Sequence, residues 1–123
     1  MDNSLNGYNV LIVEDEPLVA LDLTETLTRA GAHVVAAHSI AQAVAAIEKI
    51  KVRAAVLDIG LHGENCASLC QYLSQRGVQF LFYSGYTLAP NEWDHITVIR
   101  KPASGDDIVN AVGLLCASRQ RAA

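Results

Sequence analysis

Val10-Leu11-Ile12-Val13-Glu14-Asp15-Glu16-Pro17 is the stretch that decides the fold. Its first four residues are apolar at every position rather than alternating. Strands buried on both faces read this way, and such strands belong to parallel sheets covered by helices. The apolar run stops at two acids. Pro17 then suits the first turn of a helix. A nucleotide or dinucleotide fold would place a glycine-rich phosphate loop here, and no such loop is present.

The same unit recurs along the chain. Val34-Val35-Ala36-Ala37, Ala54-Ala55-Val56-Leu57, Phe80-Leu81-Phe82-Tyr83 and Ile96-Thr97-Val98-Ile99 are further short apolar runs. Helical stripes lie between them: Val19, Leu23, Leu27 and Ala30; then Ile40, Ala43, Val44, Ile47 and Ile50; then Cys66, Leu69, Cys70 and Leu73; finally Ile108, Val112, Leu115 and Cys116. Each follows the 3.6-residue period of a helix with one buried face. Ser39 with Gln42 and Ser104 with Asp107 have capping-box spacing, and Gly31 and Gly77 suit helix ends. The alternation predicts an α/β fold. Five strands in 123 residues suggest a flavodoxin-like, doubly wound parallel sheet of order 2-1-3-4-5. Residues Tyr86 to His95 hold Pro90 and Asn91 and few apolar positions, so the fourth helix in sequence order is expected to be short or irregular.

The chain reads as one domain over 1–123, with a core from about residue 9 to residue 116. Its formal net charge is −4, which disfavours sequence-independent binding to nucleic acid. Met1 to Gly7 reads as polar, without an export leader, and no apolar stretch is long enough to span a bilayer. Cys66, Cys70 and Cys116 are an odd, sparse set. They point to a reducing compartment, with the cytoplasm as the default. Only a short tail follows the last helix, so an output domain is not expected within this chain.

In open α/β sheets, ligands bind beyond the carboxyl ends of the strands, where strand order reverses. The residues ending each run are therefore the candidates. Strand 1 ends in Glu14 and Asp15, strand 3 in Asp58, strand 4 in Ser84, and strand 5 in Arg100 and Lys101. Strand 2 ends in His38, on the far side of strand 1. Three carboxylates sharing a pocket repel one another unless one is protonated or a cation lies among them. An all-oxygen acidic set favours a hard cation, and Mg²⁺ fits. Asp58 can serve as a nucleophile forming an aspartyl phosphate. Lys101 and Ser84 would then meet the phosphoryl oxygens.

Glu14-Asp15, Val56-Leu57-Asp58, Ser84-Gly85 and Lys101-Pro102 together resemble the acidic pair, phosphoacceptor, hydroxyl and lysine of response-regulator receiver domains. The resemblance runs from about Asn9 to Cys116. It implies that Asp58 accepts a phosphoryl group from a phosphohistidine on a sensor kinase or phosphotransfer protein. It also implies that Glu14, Asp15, Asp58 and the backbone carbonyl of Gly60 hold Mg²⁺, directly or through water. Ser84 and Lys101 would bind the phosphoryl oxygens, and the segment after Ser84 would shift a protein-binding surface. Such a domain is no enzyme beyond its own phosphorylation and dephosphorylation.

Two departures narrow the resemblance. Val98 stands where many receivers carry an aromatic switch residue, and the Ser84-to-Lys101 spacing is short for the family. Tyr83-Ser84-Gly85-Tyr86 is similar to the FAT-GUY subgroup of single-domain receivers, associated with kinases of the HWE or related type. Tyr86 is then the candidate switch.

Each residue alone has a plainer reading: a cap for Glu14, Asp15 or Asp58, a solvated lysine for Lys101, a core cover for Tyr86. His62, Cys66 and Cys70 have helical spacing compatible with zinc, but the two cysteines lie in an apolar stripe and read as core. The competing functions are a receiver-like interaction module that is never phosphorylated and an aspartyl-nucleophile phosphatase. The phosphatase would carry a second Asp two residues beyond the first at strand 1, where Glu16 stands.

Overall fold

The computed structural model describes residues 3–60, 66–85 and 91–117. Five strands, β1 (Asn9–Val13), β2 (His33–Ala37), β3 (Ala54–Leu57), β4 (Gln79–Ser84) and β5 (Val98–Arg100), form one sheet. All pair in parallel, in the order β2-β1-β3-β4-β5. The helices are α1 (Pro17–Arg29), α2 (Ile40–Lys49), α3 (Cys66–Gln75) and α4 (Gly105–Ala117). This is the doubly wound, flavodoxin-like architecture that the alternation implied.

Alternate residues of the central strands feed two separate cores. Leu11, Val13, Ala55, Leu57, Phe80 and Phe82 pack against α2 and α3 through Ala43, Ile47, Leu69, Cys70 and Leu73. Val10, Ile12, Ala54, Val56, Leu81 and Tyr83 pack on the other face against Leu23, Leu27, Ile108 and Val112 of α1 and α4. Both faces of β1 and β3 are thus covered, which is why their sequences show no alternation. Each fully buried leucine or valine contributes roughly 1.5–3 kcal/mol. Leu5 is also fully buried in the second core, and its N–H donates to the Ala30 carbonyl at 3.0 Å. Packing therefore takes in residues ahead of Asn9.

The helix ends follow local chemistry. α1 closes with Gly31 N–H on Thr28 O at 2.9 Å and Ala32 N–H on Leu27 O at 3.1 Å. α3 closes the same way, Gly77 on Ser74 and Val78 on Leu73. Both are Schellman closures, and both glycines have the positive φ the motif demands, 103° and 72°. Ser39 Oγ accepts from Gln42 N–H, as the capping spacing predicts. The Gln42 side chain, however, accepts from His38 N–H rather than from Ser39. Ser104 Oγ accepts from Asp107 N–H.

The last strand begins two residues later than the apolar run suggested. The Ile96 N–H is taken by the Trp93 carbonyl, closing the 3-10 turn Asn91–Trp93, so Ile96 cannot join the ladder there. Its side chain packs instead on the α2/α3 core. Among the described residues, that turn is the only helical element between β4 and β5, in line with the short or irregular helix expected there. Likewise, none of the helices described is long and apolar enough to cross a membrane.

Candidate functional site

Three residues sit one step beyond a strand and are still held by the sheet. Glu14 N–H donates to Ala37 O at 3.0 Å, Asp58 N–H to Val13 O at 2.9 Å, and Lys101 N–H to Ser84 O at 2.8 Å. The rigid ladder therefore delivers these side chains to the carboxyl edge, with β1 and β3 adjacent where strand order reverses. Ser84, the last residue of β4, is buried there too.

The side chains converge. Ligand oxygens of Glu14, Asp15 and Asp58 all lie within 4.8 Å of one another, the one such acidic cluster among the described residues. Lys101 Nζ lies 2.8 Å from Glu14 Oε1 and 3.7 Å from Asp58 Oδ2. The other Glu14 oxygen accepts from Glu16 N–H at 3.1 Å. Asp58 Oδ1 accepts from Gly60 N–H at 3.0 Å. The contact seen at Gly60 thus runs through its amide N–H, whereas the sequence reading singled out its carbonyl.

The electrostatics are unbalanced. Burial pushes the Glu14 carboxyl above the usual carboxylate range; Asp58 adds to this, and Lys101 and the Glu16 amide offset only part of it. Burial also works against charge on Lys101, but Glu14 and Asp58 outweigh it and hold the ammonium above its ordinary value. Three carboxylates and one ammonium leave a formal deficit of two positive charges. The all-oxygen donor set and this deficit suit a divalent hard cation such as Mg²⁺.

Two neighbours were not legible as part of the site. His38 Nδ1 lies 3.1 Å from the Glu14 carbonyl; a carbonyl only accepts, so the contact needs the proton on Nδ1. The Tyr83 ring lies 5.5 Å from Lys101 Nζ, and its hydroxyl accepts from Ala103 N–H at 3.3 Å, fixing the chain just after the lysine. The only sequence signal for either was its place at a strand end.

Other candidates fall elsewhere. Tyr86 and His62 lie outside the described residues. Cys66 and Cys70 are buried free thiols in the α2/α3 core, as the plainer reading had them. A cleft of about 680 Å³ opens at the opposite end of the sheet, where Lys51, Arg53 and Arg76 contribute to a wall without carboxylates. It is remote from the acids.

The parallel sheet carries an acidic pocket at its switch point, and a lysine reaches that pocket from the end of β5. The sequence pattern of the response regulator receiver domain matches residues 10–113. The chain belongs to that family. Receiver domains of this kind work with histidine kinases or phosphotransfer proteins.

Solved structures agree. The chain is 28% identical to SdrG from Pseudomonas melonis Fr1 in its BeF3-activated conformation, covering 94% of this chain and 98% of that one, with a TM-score of 0.76. SdrG from Sphingomonas melonis Fr1 is 30% identical over 91% of this chain and 97% of that one, TM-score 0.73. A response regulator receiver protein from Sinorhizobium medicae WSM419 shares the fold at 24% identity and TM-score 0.77, covering 89% and 94% of the two chains. No curated protein sequence matches.

Proposed function

We propose that Asp58 accepts a phosphoryl group from a phosphohistidine, with Mg²⁺ bound by Glu14, Asp15, Asp58 and the Gly60 carbonyl. The observation that carries this reading is the convergence of three acids, with Lys101 Nζ bonded to one of them, Glu14, and 3.7 Å from another, Asp58. A structural salt bridge would need one acid, not three.

In the transfer, an Asp58 carboxylate oxygen attacks phosphorus. The O–P bond forms as the histidine N–P bond breaks, and the electron pair returns to the imidazole. Mg²⁺, when bound, offsets the charge on the phosphoryl oxygens. Lys101 stands near enough to move from Glu14 towards those oxygens and hold them as a point charge. The Ser84 hydroxyl donates a further hydrogen bond. The Gly60 amide steadies Asp58 during attack. The chain acts on no substrate besides its own acyl phosphate.

The donor is a sensor histidine kinase, of the HWE type that the FAT-GUY resemblance implies, or a phosphotransfer protein. Likeness to SdrG, captured in a BeF3-activated conformation, supports the same activation chemistry here. Phosphorylation shifts the segment after Ser84 and so changes a protein-binding surface, with Tyr86 as the reporting residue. The three buried free thiols fit a reducing, cytoplasmic setting. The whole chain forms a single receiver domain and binds neither nucleic acid nor membrane.

Incubation with Mg²⁺ and acetyl phosphate followed by intact-mass measurement tests the proposal. The expected result is a gain of one phosphoryl group, absent from Asp58→Asn. An unchanged wild-type mass would instead favour an interaction module that is never phosphorylated.

A further inference from the structure

Ser84 is the last residue of β4. Ser84 pairs with Arg100 in the β4–β5 register, and its carbonyl accepts from Lys101 N–H at 2.8 Å. The next residue, Gly85, has no positive φ and, among the described residues, nothing within 4 Å of where a Cβ would stand. No steric contact with a described residue and no positive φ defines its backbone. Glycine has the widest choice of ψ of any residue. Yet this corner must present the Ser84 hydroxyl and set the direction in which the chain leaves the site.

One strong anchor is present. Arg100 Nη1 donates to the Gly85 carbonyl at 3.0 Å. The guanidinium is a charged donor, and such bonds are stronger than neutral ones. Arg100 is also the residue before Lys101, so the strand that aims the lysine also grips the corner after the hydroxyl. We infer that Arg100 is a positioning residue: its bond to the Gly85 carbonyl fixes the Ser84–Gly85 corner so that the hydroxyl meets the phosphoryl group on Asp58.

This inference rests on the phosphoacceptor reading above. Arg100 is exposed, so its bond adds little to folding. Its effect falls on the reaction. Glu14, Asp15 and Asp58 follow the ends of β1 and β3, so cation binding does not depend on this corner.

The test compares Arg100→Ala with wild type for the rate of Asp58 phosphorylation by acetyl phosphate and for Mg²⁺ affinity by calorimetry. Loss of one hydrogen bond predicts a rate about fivefold lower, with Mg²⁺ affinity unchanged. The loss should persist in about 1 M salt, where the Debye length is ~3 Å and the missing charge alone has little reach. Adding Gly85→Ala, which narrows the backbone at a position where no described residue blocks a methyl, should recover part of the rate.

Three results would overturn the inference while leaving the phosphoacceptor reading intact: an unchanged rate, a loss that disappears in high salt, or a parallel fall in Mg²⁺ affinity. Wild-type protein that takes no phosphoryl group overturns both.

Discussion

Lys101 is the residue on which the site turns. Its ammonium is the counter-charge bonded to Glu14 and facing Asp58. Lys101→Met would keep most of the stem and remove the charge. Donors aimed at developing charge are worth about 100-fold in rate, so phosphorylation from acetyl phosphate should slow by about that factor. A loss below threefold would show that Lys101 does not engage the phosphoryl group.

Glu14 gives a pH signature. Its folded carboxyl sits above the ordinary value of 4.5, chiefly through burial. The folded state thus holds this proton more tightly than the unfolded state. Its contribution to stability is complete below about pH 4.5 and is lost as pH rises through the elevated folded value. Metal-free protein should lose stability over that window, and Glu14→Gln should flatten the slope. Mg²⁺ should restore stability at the upper end. Thermal melts across the window check this; identical slopes for wild type and variant would contradict it. The acids and Lys101 were legible because each ends an apolar run with a charge suited to phosphoryl or metal chemistry. His38 and Tyr83 also stand at strand ends, but their contacts, a ring nitrogen on a carbonyl and a ring beside an ammonium, depend on side-chain placement that no sequence pattern carries.

At the scale of elements, strand interiors were legible because burial on both faces leaves an unbroken apolar run. The start of β5 was not. Ile96 is as apolar as a strand residue, but its amide closes the 3-10 turn and its side chain belongs to the α2/α3 core. Apolar character reports burial, not which element does the burying. The ends of α1 and α3 were legible as glycines, but only the geometry ranks how far each positive-φ glycine is constrained. At Gly31, φ is 103° and a Cβ would stand 2.8 Å from the Asn6 Cα, backbone that cannot swing aside. At Gly7, in the turn before β1, φ is 83° and no described residue stands within 4 Å of a Cβ. Gly31→Ala should therefore cost about 1–3 kcal/mol and exceed Gly7→Ala in denaturant unfolding. Equal costs would mean that the Asn6 contact yields easily.

At the scale of the molecule, the fold follows from covering one sheet on both faces. The two cores are built from alternate residues of the same strands, so the fold class was legible in the unbroken apolar runs, whereas the strand order followed only from chain size and class. The buried Leu5 was not legible, since one leucine in a polar stretch carries no periodicity. The same sheet explains why the site is spatially compact although its residues are scattered: parallel strands bring every carboxyl end to one edge.

The most direct test of that convergence is to locate the phosphoryl group. Protein treated with Mg²⁺ and acetyl phosphate is reduced with borohydride, which converts an aspartyl phosphate to homoserine, and is then mapped by peptide mass spectrometry. The account expects homoserine at position 58 and nowhere else. Homoserine at Asp15, or at no position, would contradict it.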